Sequence, residues 1–231
     1  MGQKDGEKWT AAVDLQPTLP KSDRLLKACF MNTTRPTPDK ETIALLPEFP
    51  RLGMGQIRLV ETAAQAREAC AALREHSALG FDTESKPTFV KDQVSEGPHT
   101  VQLSTLSQAW VFQLHEAGCK DIVAQLLSEP ERQLAGFGLG DDNKRILAKL
   151  GVVPLGALEL NTLFRERGYR KDMGVKGAIA VLFNQRFIKS KKAATSNWAN
   201  SRLSESQLVY AANDAYAAAC VYKALEGGAL R

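Results

Sequence analysis

The sequence predicts an α/β domain in which a mixed β-sheet is flanked by α-helices. Three observations carry that expectation. The apolar run Ala78-Leu79-Gly80-Phe81 reads as a buried central strand. Between residues 57 and 150, stretches of period two and period 3.6 follow one another in the order β-α-β-β-β-α-β-α. Beyond Gly151 the chain turns helical and closes with a long alanine-rich stretch from Ser204 to about Leu225.

Taken in order, Ile57-Arg58-Leu59-Val60 is a short strand, and Thr62 followed by Gln65 has the spacing of a helix capping box. Ala66, Ala69, Cys70 and Leu73 then recur at i, i+3, i+4, i+7 and predict one amphipathic helix to about His76. The Phe81 strand follows. After a polar loop, Thr100–Ser104 and Ala109–Leu114 alternate and pair most simply as antiparallel neighbours of the central strand. Ile122, Val123, Leu126 and Leu127 mark a helix stopped by Pro130, and Gln133–Phe137 reads as a further core strand. Leu158–Arg167 and Val175–Phe183 read as helices. Residues 1–55 hold six of the ten prolines and little periodicity beyond a short helix at Ser22–Phe30, so they read as an irregular extension ahead of a domain spanning 56–231.

Composition narrows the chemistry. No apolar run reaches the roughly 18 residues needed to span a membrane, and the N-terminus has no signal-peptide core, so a cytoplasmic protein with no membrane partner is expected. Cys29, Cys70, Cys119 and Cys220 are far apart, which argues against a zinc site or a disulfide framework, and His76, His99 and His115 are scattered. A metal held here would be bound by oxygen. The net charge of +4, from 30 basic and 26 acidic residues, permits a polyanionic partner without requiring one.

The acidic residues at element ends are the candidate site. Asp82 and Glu84 lie two apart at the end of the central strand and share one face. Two carboxylates that close repel, so the pair is a hard-metal site or a shared-proton dyad; taken alone, such a pair is more often a solvated strand end or a helix cap. Gly138 opens a glycine turn into a helix bearing Asp141 and Asp142. Asp142 stands one turn before Ile146 on the apolar face and is aimed inward, whereas Asp141 is rotated away. In the last helix, capped by Ser204 and Gln207, Tyr210 and Asp214 share a face at i, i+4.

Together, Phe81-Asp82-Thr83-Glu84, the Gly136-Phe137-Gly138 turn with Asp142, Ser196-Asn197-Trp198-Ala199 and Tyr210-Ala211-Ala212-Asn213-Asp214-Ala215 resemble the DEDDy 3′-to-5′ exonucleases, the ribonuclease D and Werner-type group. The resemblance covers residues 57 to about 226. It implies a ribonuclease H-like fold and a hydrolase that uses two Mg²⁺ or Mn²⁺ ions to release 5′-mononucleotides from single-stranded or frayed 3′ ends of DNA or RNA. It also implies that Asp82, Glu84 and Asp214 hold one metal, that Asp82 and Asp142 serve the second, and that Tyr210 orients the attacking water. No helical nucleic-acid-binding domain of the ribonuclease D kind follows the last motif here, so a stand-alone nuclease is expected. A phosphodiesterase for very short oligonucleotides and a non-catalytic nucleic-acid-binding module are the alternatives.

Substrate contacts are expected from the basic run Arg186, Lys189, Lys191 and Lys192 and from Lys86, although a solvated loop face explains the run about equally well. Trp198 either stacks on a base or fills the core.

Overall fold

In the computed structural model, residues 34–88 and 96–230 are described, and the helix expected at Ser22–Phe30 lies outside them. The described residues from Arg35 onward form one compact unit. Among the described residues the sheet has six strands in the order β1-β4-β3-β2-β5-β6: β1 (Ile57–Val60), β2 (Ala78–Glu84), β3 (Thr100–Ser104), β4 (Ala109–Gln113), β5 (Gln133–Gly136) and β6 (Ala157–Glu159). β3 runs antiparallel to β2 and β4 antiparallel to β3, while β1 joins β4, β5 joins β2 and β6 joins β5 in parallel. The central strand therefore has β3 and β5 as its neighbours, and β4 lies one place further out than the sequence suggested.

The helices are α1 (Lys40–Leu45), α2 (Ala63–Arg74), α3 (Ala117–Leu127), α4 (Leu139–Leu150), α5 (Leu160–Glu166), α6 (Gly174–Phe183), α7 (Lys191–Ala194) and α8 (Glu205–Glu226). The expected helix at Leu158–Arg167 is thus a three-residue edge strand followed by α5. Glu159 makes the switch: its carboxylate accepts from the Asn161 N–H at the start of α5 and from the Leu139 N–H at the start of α4, satisfying orphan donors of two helices. Both expected capping boxes are present, at Thr62–Gln65 and at Ser204–Gln207.

Period-two alternation divides the core. Leu79 and Phe81 of β2, with Val101, Leu103, Trp110, Phe112 and Leu134, face α2, α3 and α4. On the other face lies α8, in contact with β1 through β5. Its alanines Ala211, Ala212, Ala215, Ala217 and Ala218 are buried and keep it thin. No helix among the described residues is long and apolar enough to cross a membrane.

The segment before β1 is bound to this framework. Phe49 and Leu52 are buried, and Glu48 forms a parallel bridge with Arg186. Asn213 of α8 clasps the Leu52 peptide: its Oδ1 accepts from the Leu52 N–H at 2.8 Å, and its Nδ2 donates to the Leu52 carbonyl at 3.1 Å.

Candidate active site

The site forms where β2 ends between two helical layers. Gly80, Asp82 and Glu84 share the face toward α8, and Thr83 faces the opposite layer. Gly80 permits a close approach there, since a Cβ on it would stand 1.8 Å from the Ala215 carbonyl oxygen. With backbones that close, Asp214, the residue before Ala215, meets the strand end. Ligand oxygens of Asp82, Glu84 and Asp214 all lie within 4.8 Å of one another.

Asp142 enters from the other layer. Gly138 adopts a left-handed φ of 72°, which turns the chain sharply into α4. The Thr83 hydroxyl then donates to Asp142 Oδ1. Asp141 points to solvent and pairs with Lys144 at 3.0 Å. The described cluster thus comprises Asp82, Glu84 and Asp214, with Asp142 held beside it through Thr83.

Burial dominates the electrostatics. It pushes the Asp82 carboxyl well above the usual range, and the Asp214 charge pushes the same way. Glu84 is raised to about 9, first by burial and then by Asp82 and Asp214. Asp214 is raised by burial and partly restored by Lys189. Asp142 is raised by burial, opposed by the Thr83 hydrogen bond. Burial, with the neighbouring Asp214 charge, also raises the Tyr210 phenol, so it keeps its proton at neutral pH.

Lys189 is the cation of this cluster. Its Nζ lies 2.6 Å from Asp214 Oδ2 and 5.2 Å from the centre of the Tyr210 ring. Sequence reasoning placed it with the phosphate-facing lysines. No local signal separates it from them: the alternation of buried Phe187, exposed Ile188 and inward Lys189 follows the Arg186 bridge, a long-range pairing. Thr83 was missed as well, although the middle residue of Asp-x-Glu must face the layer that carries Asp142.

Two other expected substrate contacts are engaged elsewhere in the structure. Trp198 is 1% exposed and fills the core beside Leu208 and Ala211, so its ring is closed to a base. Arg186 serves the segment before β1, donating to Glu48 Oε1 at 2.8 Å and to the Ala44 carbonyl at 2.9 Å. Lys86, Lys191 and Lys192 are exposed. The backbone N–H of Lys86 donates to His99 Nδ1, which anchors the loop leaving Glu84.

Residues 57–227 match the 3′-5′ exonuclease family. The chain is 27% identical to a 3′-5′ exonuclease of Arabidopsis thaliana over 150 residues, covering 64% of this chain and 52% of that protein. It is 25% identical over 155 residues to the bifunctional 3′-5′ exonuclease/ATP-dependent helicase WRN of Mus musculus, covering 66% of this chain and 11% of that one. The chain thus spans about half the length of the first relative and about a tenth of the second. Its fold is similar to that of Trypanosoma brucei RNase D, with a TM-score of 0.67 at 21% identity over 74% of this chain and 64% of that one. The ribonuclease H-like fold expected from the motifs is the fold of this neighbour, and the match over 57–227 settles the relationship: this chain belongs to the 3′-5′ exonuclease family.

Proposed function

We propose that the chain is a metal-dependent 3′-to-5′ exonuclease that hydrolyses the terminal phosphodiester bond of single-stranded or frayed 3′ ends and releases 5′-mononucleotides. The observation that carries this reading is the convergence of Asp82, Glu84 and Asp214, with oxygens within 4.8 Å, on a strand end that Asp142 approaches from the other side.

The donor set fits divalent cations. It offers carboxylate oxygens only, the preference of Mg²⁺ and Mn²⁺. The described cluster opposes its three carboxylates with one ammonium, so bound divalent cations would offset the burial and the mutual repulsion that lift Glu84 and Asp82. Asp82, Glu84 and Asp214 would hold one ion, and Asp82 and Asp142 a second. Two such ions supply water activation, charge neutralisation at the phosphate and stabilisation of the leaving 3′-oxygen.

The protein's own groups then have distinct tasks. Thr83 fixes the Asp142 carboxylate through Oδ1, which would leave Oδ2 to serve the second ion. Tyr210, protonated at neutral pH, orients the attacking water by hydrogen bonding and does not serve as its base. Lys86, Lys191 and Lys192 are exposed cations suited to backbone phosphates, and their contribution should weaken with salt. Trypanosoma brucei RNase D has been captured with RNA U12, which supports a nucleic-acid substrate for the shared fold.

The test is a panel of end-labelled single-stranded DNA, recessed duplex DNA, single-stranded RNA and dinucleotides, each with Mg²⁺ and with Mn²⁺. Shortening from 3′ ends with mononucleotide release is expected. Strong preference for dinucleotides over strands would replace this reading with that of a short-oligonucleotide phosphodiesterase. Binding without turnover under both metals would make the chain a non-catalytic module.

A further inference from the structure

Lys189 belongs to a tethered segment. The Arg186 N–H donates to the Pro47 carbonyl at 2.8 Å and the Phe49 N–H donates to the Arg186 carbonyl at 2.9 Å, which ties the chain just before it to the segment ahead of β1. Phe187 is buried in the core and Ser190 caps α7 just after it. Between these anchors the Lys189 ammonium lies over the Tyr210 ring and reaches Asp214 Oδ2.

Two features distinguish this contact from an ordinary structural ion pair. The Asp214 side chain is 4% exposed, so its charge has little solvent to screen it and depends on a protein cation or a metal. The ammonium, 2.6 Å from Oδ2, is also not this carboxylate's sole partner, since the Tyr210 hydroxyl acts on it too. The ammonium is therefore seated on a carboxylate that belongs to the acidic cluster.

We propose that Lys189 is an exchangeable counter-cation of the metal-free site, whose ammonium holds the Asp214 carboxylate until a divalent cation displaces it. Its presence lets the acidic cluster fold without metal and raises the metal concentration at which the site fills. Lys189 is in this sense a positioning residue. The inference rests on the metal-dependent reading of the same carboxylates.

The experiment compares the full chain with Lys189→Met, Lys189→Gln and Asp82→Asn. Each protein is stripped with chelator and titrated with Mn²⁺, reading free Mn²⁺ by electron paramagnetic resonance and thermal unfolding in parallel. Removing the competing cation should lower the Mn²⁺ dissociation constant about tenfold in both Lys189 variants, a difference of about 1.4 kcal/mol. Their metal-free Tm should fall, and the deficit should close at saturating Mn²⁺. A variant that folds only with Mn²⁺ supports the proposal. Unchanged or weaker Mn²⁺ binding in either variant overturns it.

A measurement on the unaltered protein decides the matter should neither variant fold. Acetic anhydride labelling of Lys189, followed by mass spectrometry, should rise when Mg²⁺ is added, because the displaced ammonium becomes reactive. No rise would overturn the exchange. Failure of the underlying reading looks different: the unaltered protein would then bind no Mn²⁺, and Asp82→Asn would change nothing.

Discussion

Gly80 lies directly beneath Ala215, so close that a Cβ on the glycine would stand 1.8 Å from the alanine's carbonyl oxygen and 2.6 Å from the Ala219 nitrogen. These are backbone atoms of α8 and cannot rotate aside. Asp82 is two residues along the same strand face and Asp214 immediately precedes Ala215, so this approach sets the distance between carboxylates of the site. Gly80→Ala must lift α8 from the sheet. It should cost about 1–3 kcal/mol or more and abolish metal-dependent activity. Gly140→Ala is the control: it is exposed within α4, a Cβ there meets nothing within 4 Å, and it should stabilise by about 0.5–1 kcal/mol. Thermal unfolding and Mn²⁺ titration of the two variants check the contrast, and equal behaviour would refute it.

Thr83 and Asp142 form the second relationship that can be tested. Thr83→Val keeps the shape and strand preference and removes the hydroxyl that Asp142 accepts from. Activity should fall about 10–100-fold, the usual effect of losing a partner that orients a metal ligand. Asp142→Asn should be more damaging still. Asp141→Asn, altering an exposed residue paired with exposed Lys144, should leave activity within about twofold of the unaltered protein. Loss of activity in Asp141→Asn alone would reverse the assignment of the two aspartates.

How far these relationships were legible in the sequence depends on their range. The Asp141–Asp142 choice could be read because helical phase is local: one residue is a rotation of 100°, enough to separate core from solvent. The capping boxes of α2 and α8 could be read for the same reason. β6 could not, because Ala157-Leu158-Glu159 is in phase with the helix after it and becomes a strand only by pairing with Leu134, Ala135 and Gly136. α1 has no buried residue, so no periodicity marks it. Among the basic residues, sequence gave the run but not its division: Arg186 turns to Glu48, Lys189 to Asp214, and Lys191 and Lys192 to solvent. Those directions are set by long-range partners.

Asn213 ties α8 to the segment before β1. Asn213→Ala would leave the buried Leu52 N–H and carbonyl without their partners. The cost should be about 1–3 kcal/mol, seen as a lower denaturant midpoint with an unchanged slope. No loss of stability would mean that the clasp is dispensable.

The metal-free protein should respond to pH in a definite direction. Glu84 is raised to about 9 from 4.5 and Asp82 is raised too, while Asp214 keeps the Lys189 ammonium beside it, so through Glu84 and Asp82 the folded state binds more protons than the unfolded chain at neutral pH. Stability therefore falls as pH rises from about 5 to about 9. Lys189, raised from an already basic value, stays charged throughout and adds no slope in this window. In chelator, Tm should decline across that range, and added Mg²⁺ should raise it more at the alkaline end. A flat or rising profile would show that these carboxylates are ionised without metal.

The most direct test of the proposed activity uses one single-stranded oligonucleotide, labelled at its 5′ end in one sample and at its 3′ end in another, with Mn²⁺. The expected result is a ladder shortening stepwise from the 3′ end in the first sample and immediate release of labelled 5′-mononucleotide in the second. Both should be abolished by chelator and by Asp82→Asn. Release of the 5′ label first, or cleavage that survives both chelator and Asp82→Asn, would contradict it.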